Sequence, residues 1–244
     1  MPDSAQSISP AAHTQAGLEA AFDQLGRAGG WWSGEARIAI AQEKRAAHQC
    51  LLCKKRKAAL SPYAIEDQEH DSGSTLPAHT IDVIHRITTD PGRLSELWYD
   101  EAIAGGMRSE ELVEIASIIG VVTLADTLAR ALSLPERELP RPHSGEPHRQ
   151  LVPGTRVDRA WVPMVRPESA EGMLKLMYEQ LESSAGFVFN VARALTAVPE
   201  AVRDFFGAFI PNYATHGPVR TGGLDRIQVE LLASTTSDYN DCFY

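Results

Sequence analysis

Residues 109–132 read SEELVEIASIIGVVTLADTLARAL, and this stretch decides the fold class. Ser109 suits a helix start, and Glu110 and Glu111 place negative charge where a helix N-terminus is positive. The run that follows is apolar on all sides. A surface helix carries one apolar stripe; a helix apolar all round belongs in the middle of a bundle.

The flanks are punctuated for more helices. Gly105-Gly106 closes a segment carrying Leu94, Leu97 and Trp98, which opens at Asp90-Pro91. Asp90 is expected to be the N-cap there. Further upstream, Ile81, Ile84, His85 and Ile87 mark a short helix. A longer one is expected from Ser33 through Ile38, Ile40 and Ala47 to Leu60, stopped by Ser61-Pro62. Residues 64–78 read as a polar loop.

Residues 1–28 read as a flexible arm with one short helix bearing Leu18, Phe22 and Leu25. Residues 134–160, rich in proline and charge, read as a linker. It divides the chain into a first part, 29–133, and a second, 161–244. In the second part helices are expected at about 169–183 and 186–196. Val198-Pro199-Glu200 opens another, through Phe205, Phe206 and Phe209, and a last helix starts near Leu224. No segment alternates over a strand's length, so strands are not expected. The fold class is all-α.

A chain of 244 residues has room for a substantial core. Its net charge of −9 gives nucleic-acid binding no electrostatic support. The run Lys54-Lys55-Arg56-Lys57 reads as a solvated helix face. No stretch approaches the roughly 18 apolar residues of a membrane span, and no signal peptide is visible. Three cysteines, two of them in a Cys-x-x-Cys, do not make a secreted disulfide framework, so a cytoplasmic setting is expected.

The two parts align as an internal repeat. Asp90-Pro91 precedes Val113-Glu114 as Val198-Pro199 precedes Val229-Glu230, and twelve residues beyond each glutamate stand Asp126 and Cys242. Asp126 rules out thiol chemistry in the first copy. His85, Asp90 and Arg93 are expected to form a polar cluster near it.

Cys50-Leu51-Leu52-Cys53, with His48 just before, is the other chemical feature. At i, i+3 on one helix the thiols share a face, which allows a redox pair, two buried apolar thiols, or half of a metal site. Zinc needs two further ligands. His70 and His79 are the candidates for those, and no metal is assigned.

Leu224 to Ser234, followed by Asn240-Asp241-Cys242-Phe243-Tyr244, resembles the core motif of the AhpD and carboxymuconolactone-decarboxylase-like superfamily. In that motif a helical glutamate is followed by Ser, Asn, Cys-x-x-Cys and a histidine a turn later. The stretch from Trp31 through His85-Arg86 and Asp90-Pro91 to Glu114 is similar to a two-repeat branch of the same superfamily.

The resemblance implies an all-α fold of two AhpD-like repeats and an alkylhydroperoxidase-like thiol oxidoreductase. Glu230 would be its proton relay and Cys242 the resolving thiol. The attacking cysteine or selenocysteine would occupy position 245, after Tyr244. Without that nucleophile the chain as it stands is expected to be inactive as a peroxidase. Activity needs no cofactor beyond such a selenocysteine. The implied partners are a hydroperoxide and a dithiol reductant, either a lipoylated or a thioredoxin-like protein, with the chain as a homo-oligomer and no nucleic acid or membrane involved. Cys50 and Cys53 would serve as an auxiliary redox pair. A decarboxylase-like lyase and a non-catalytic helical scaffold are the alternatives.

Geometry bears on Glu230. On one unbroken helix, twelve residues would hold it roughly 18 Å from Cys242. The Ser/Thr/Asp-rich stretch from Ser234 to Asn240 is expected to break that helix and bring them closer.

Overall fold

Helix α6 (Ser109–Ala131) runs through the middle of the molecule, and Ile115, Ile118, Val121 and Val122 on it are almost entirely buried. The computed structural model describes residues 12–65, 68–210 and 224–239. Around α6 lie α1 (Ala12–Leu25), α2 (Gly34–Ala47), α4 (Ala78–Thr89) and α9 (Pro199–Phe209), all packed against it. The remaining helices are α3 (Leu51–Ala58), α5 (Glu96–Ala104), α7 (Gly172–Ala185), α8 (Asn190–Ala194) and α10 (Arg226–Tyr239).

The all-α reading holds. Among the described residues the one two-stranded sheet is a two-residue antiparallel pairing, β1 (Thr155–Arg156) with β2 (Met164–Val165). It follows the extended segment that begins after α6. That segment is tied down by His143 N–H donating to Gly26 O (2.7 Å) and Arg149 N–H donating to Gly30 O (2.8 Å).

By length and composition α6 could cross a membrane, contrary to the expectation that no such stretch exists. In the fold, 67% of its most apolar window is buried by the chain itself, as in a core helix.

Residues 12–25 do more than form the short helix of an arm. Leu18, Ala21, Phe22 and Leu25 of α1 are buried against the central core. Each large side chain so buried stabilises the fold by about 1.5–3 kcal/mol relative to exposure. The helix start at Ser33 is as expected, with its Oγ accepting from Ala36 N–H at 3.3 Å. At α6 the backbone N–H of Arg108 donates to Glu111 (2.9 Å), closing the first turn just before Ser109.

Two expectations fail for local reasons. Asp90 makes no cap hydrogen bond; its carboxylate instead takes Arg93 at 2.7 Å, and Ser95 caps α5 through Trp98 N–H at 3.2 Å. The helix read as continuous from Ser33 to Leu60 is two helices. It stops at Ala47 and restarts after Cys50, whose backbone is non-helical (φ −58°, ψ 125°). No proline or glycine marks the break. The restart is held from a distance, by Leu51 N–H donating to Asp71 at 2.8 Å.

A buried charge network ties α2, α6 and α9 together. Arg37 lies between Glu114, which it bonds directly, and Asp204 at 2.6 Å, all three nearly inaccessible. The N–H of Trp31 adds a donor to Glu114 at 2.7 Å. Burial pushes the Glu114 carboxyl above its ordinary range, against the pull of Arg37 and that N–H. Gly29 sits so close that a Cβ there would lie 1.8 Å from the Glu114 carboxylate.

Candidate functional site: a thiol–imidazole cluster

The break between α2 and α3 places Cys50 at the N-cap of α3, with Cys53 one turn in. Both thiols turn inward, Cys50 1% and Cys53 4% exposed. Two imidazoles meet them. His70 comes from the loop before α4, and its Nδ1 lies 3.5 Å from Cys50 Sγ and 3.6 Å from Cys53 Sγ. His85 comes from the buried face of α4, with Nδ1 3.3 Å from Cys53 Sγ. The four atoms lie within 4.8 Å of one another.

The outer nitrogen of each ring is held by a carboxylate. His85 Nε2 pairs with Glu43 at 2.9 Å, and His70 Nε2 with Asp82 at 2.9 Å. The carboxylates are anchored in turn, Glu43 by Ser72 Oγ–H (2.8 Å) and Asp82 by Arg56 (2.6 Å). Three consecutive loop residues therefore grip two helices: His70 the thiols and Asp71 the start of α3, Ser72 the Glu43 of α2.

The electrostatics follow from these partners. Burial pushes the Cys50 thiol up. The Cys53 backbone N–H and the His70 ring outweigh it, leaving the thiol below its ordinary value. Burial pulls His70 down, but Asp82 and the two sulfurs lift it to about 10, making it an imidazolium. Asp82, opposed by its own burial, falls to about 2 beside His70 and Arg56. Burial holds His85 below the usual histidine value despite Glu43. A neutral His85 donates Nε2–H to Glu43 and leaves Nδ1 free to accept from the Cys53 thiol.

Cys53 also lines a cleft of about 890 Å³, together with Ala47, His48, Lys57, Thr88 and Tyr239. Cys53 is thus buried yet adjoins a space of ligand size.

Of the residues singled out from sequence, Cys50, Cys53 and His70 come together here. His79 is exposed at the start of α4 and takes no part. His85 leaves the expected cluster: it faces Cys53 and Glu43, while Asp90 and Arg93 pair with each other. Asp126 is bound by Lys44 (2.9 Å) and Arg45 (2.7 Å). Glu230 is half-buried on α10. Cys242 lies outside the described residues, so its distance from Glu230 is not defined, and α10 is unbroken to Tyr239. Glu43 and Asp82 went unnoticed in the sequence. Glu43 had one signal, a carboxylate on the apolar face of a helix that also carries Ile40 and Ala47.

No protein-family model, no curated protein and no solved structure matches the chain. The AhpD resemblance therefore rests on the residues quoted for it.

Proposed function

We propose that the chain is a thiol-dependent oxidoreductase that reduces hydroperoxides, with Cys50 and Cys53 as a redox pair. One observation carries the reading. Cys53, a residue of the cleft lining, has its Sγ 3.3 Å from His85 Nδ1, and Glu43 fixes the other side of that ring. A nucleophile, a base and a residue orienting the base are the parts that thiol activation needs.

In the proposed reaction His85 takes the Cys53 proton and the thiolate attacks one peroxide oxygen. The S–O bond forms as O–O breaks, and His85 returns the proton to the leaving alkoxide, giving an alcohol. Cys50 then attacks the sulfenic sulfur, the S–S bond forms, and water leaves. A dithiol reductant, such as a lipoylated or thioredoxin-like protein in a reducing cytoplasm, returns two electrons. Glu230 and Cys242, the relay and resolving thiol that the resemblance implies, take no step in this reaction, and a homo-oligomer is the chain's expected form by resemblance.

The test is peroxide consumption by the reduced, metal-free protein with a small dithiol, followed by mass spectrometry of the cysteines. A Cys50–Cys53 disulfide, and loss of turnover in Cys53→Ser but not in Cys242→Ser, are expected. No peroxide consumption beyond the uncatalysed rate overturns the reading and leaves the lyase or scaffold alternatives.

A further inference from the structure

We infer that Cys50, Cys53, His70 and His85 form a four-coordinate binding site for a transition metal, with Zn²⁺ the ion they fit best. The first argument is metric. Zinc binds sulfur at about 2.3 Å and imidazole nitrogen at about 2.0–2.1 Å. In a regular tetrahedron of those radii neighbouring S and N ligands stand about 3.5–3.6 Å apart. The three close S···N separations here are 3.5, 3.6 and 3.3 Å. All four ligand atoms fall within 4.8 Å of one another, so an ion between them needs only a small inward shift of the ligands farthest apart.

The second argument is orientation. Both rings present Nδ1 to the sulfurs and hand Nε2 to a carboxylate, His70 to Asp82 and His85 to Glu43. That outer bond aims each inner nitrogen at the sulfurs; a metal takes its lone pair by displacing the second proton of His70 along with the thiol protons, and such carboxylate–histidine pairs accompany zinc ligation. Ordinary packing gives no reason for two separate carboxylate-anchored rings to converge on the same two thiols. Donor chemistry selects the ion. Two sulfurs and two nitrogens suit Zn²⁺, whereas Mg²⁺ and Ca²⁺ take oxygen ligands. Four protein ligands leave no open position, which is the pattern of a structural zinc.

Metal binding does not rest on the oxidoreductase reading, but it bears on it. A bound metal holds both sulfurs as ligated thiolates, whereas a disulfide withdraws two of four ligands. Metal and disulfide are alternative states of one pair, and the metal-bound form is the resting one.

The experiment is a Co²⁺ titration of the full-length, chelator-treated, reduced protein, followed by optical absorption. Expected are one equivalent bound, a thiolate-to-cobalt charge-transfer band, intense tetrahedral d–d bands, and bleaching by one equivalent of Zn²⁺. Glu43→Gln and Asp82→Asn, which keep all four ligands, are expected to weaken binding about 10–100-fold. His79→Ala should leave it unchanged. Octahedral-type weak bands without charge transfer, or no saturable binding by the folded wild type, overturn the proposal. So does full affinity in a folded His70→Ala/His85→Ala double variant, with helicity checked by circular dichroism. Cobalt binding without peroxide turnover in the metal-free protein would remove the oxidoreductase reading alone. Turnover without a cobalt spectrum would remove this one alone.

Discussion

Two buried polar centres lie close to the same core and are built on opposite plans. In the Arg37–Glu114–Asp204 network the cation sits between two carboxylates, and the charges answer one another. In the Cys50–Cys53–His70–His85 cluster the carboxylates sit outside, one on each ring, and two sulfurs and two ring nitrogens face a common centre. The first pairs its charges among its own side chains and joins helices. The second is arranged toward something that is not one of its own side chains. Burial alone does not tell such centres apart; the direction in which the donors face does.

The largest effect expected is on the closed network. Arg37→Met leaves Glu114 buried without its cation, and Asp204 with Arg203 alone. It should cost about 3–5 kcal/mol in denaturant unfolding, while molecules that still fold keep the cobalt spectrum. A coupled loss of both would show the two centres to be one unit.

Next is metal removal. With Zn²⁺ at about a hundredfold excess over its dissociation constant, chelation should lower stability by about 2.7 kcal/mol. The loss should vanish in Cys50→Ser/Cys53→Ser. An equal chelator effect in that variant would place the metal elsewhere.

The smallest sharpens the comparison on the acid side. Its burial opposes the shift, yet Arg45 and Lys44 hold the Asp126 carboxyl below its ordinary value of 3.8. A depressed carboxylate contributes stability that is complete above the unfolded pKa and disappears as pH falls through the folded one. Asp126→Asn should therefore cost about 1.5 kcal/mol near neutrality, with the gap to wild type closing below pH 3.8. A gap independent of pH would make Asp126 a packing residue.

What was legible in the sequence follows from range. The apolar run of α6, the Ser33 start and the Val198-Pro199 start of α9 are local signals, and each element stands where they put it. The weak apolar group of α1 announced a helix but not its burial, because Leu18, Ala21 and Phe22 find their partners on α6 and α9. The break at Cys50 was invisible, since Ala46 to Lys54 contains no breaker and the restart depends on Asp71. His85 was assigned to its sequence neighbours Asp90 and Arg93, whereas its partner Glu43 is 42 residues away. Between His70 and His79 spacing offered no choice. The Ser72 and Asp71 contacts draw the loop inward and bring His70 to the thiols.

The grip of that loop has a consequence for biosynthesis. Every residue of the thiol–imidazole centre, carboxylates and loop anchors included, lies between Glu43 and His85. Chains are made from the N-terminus, and their parts fold as they appear. The centre therefore has all its pieces once α4 has emerged from the ribosome, while Arg37 must wait for Asp204, 167 residues later in synthesis. An ion captured at that early moment would clasp α2, α3 and α4 while the second half of the protein is still being made.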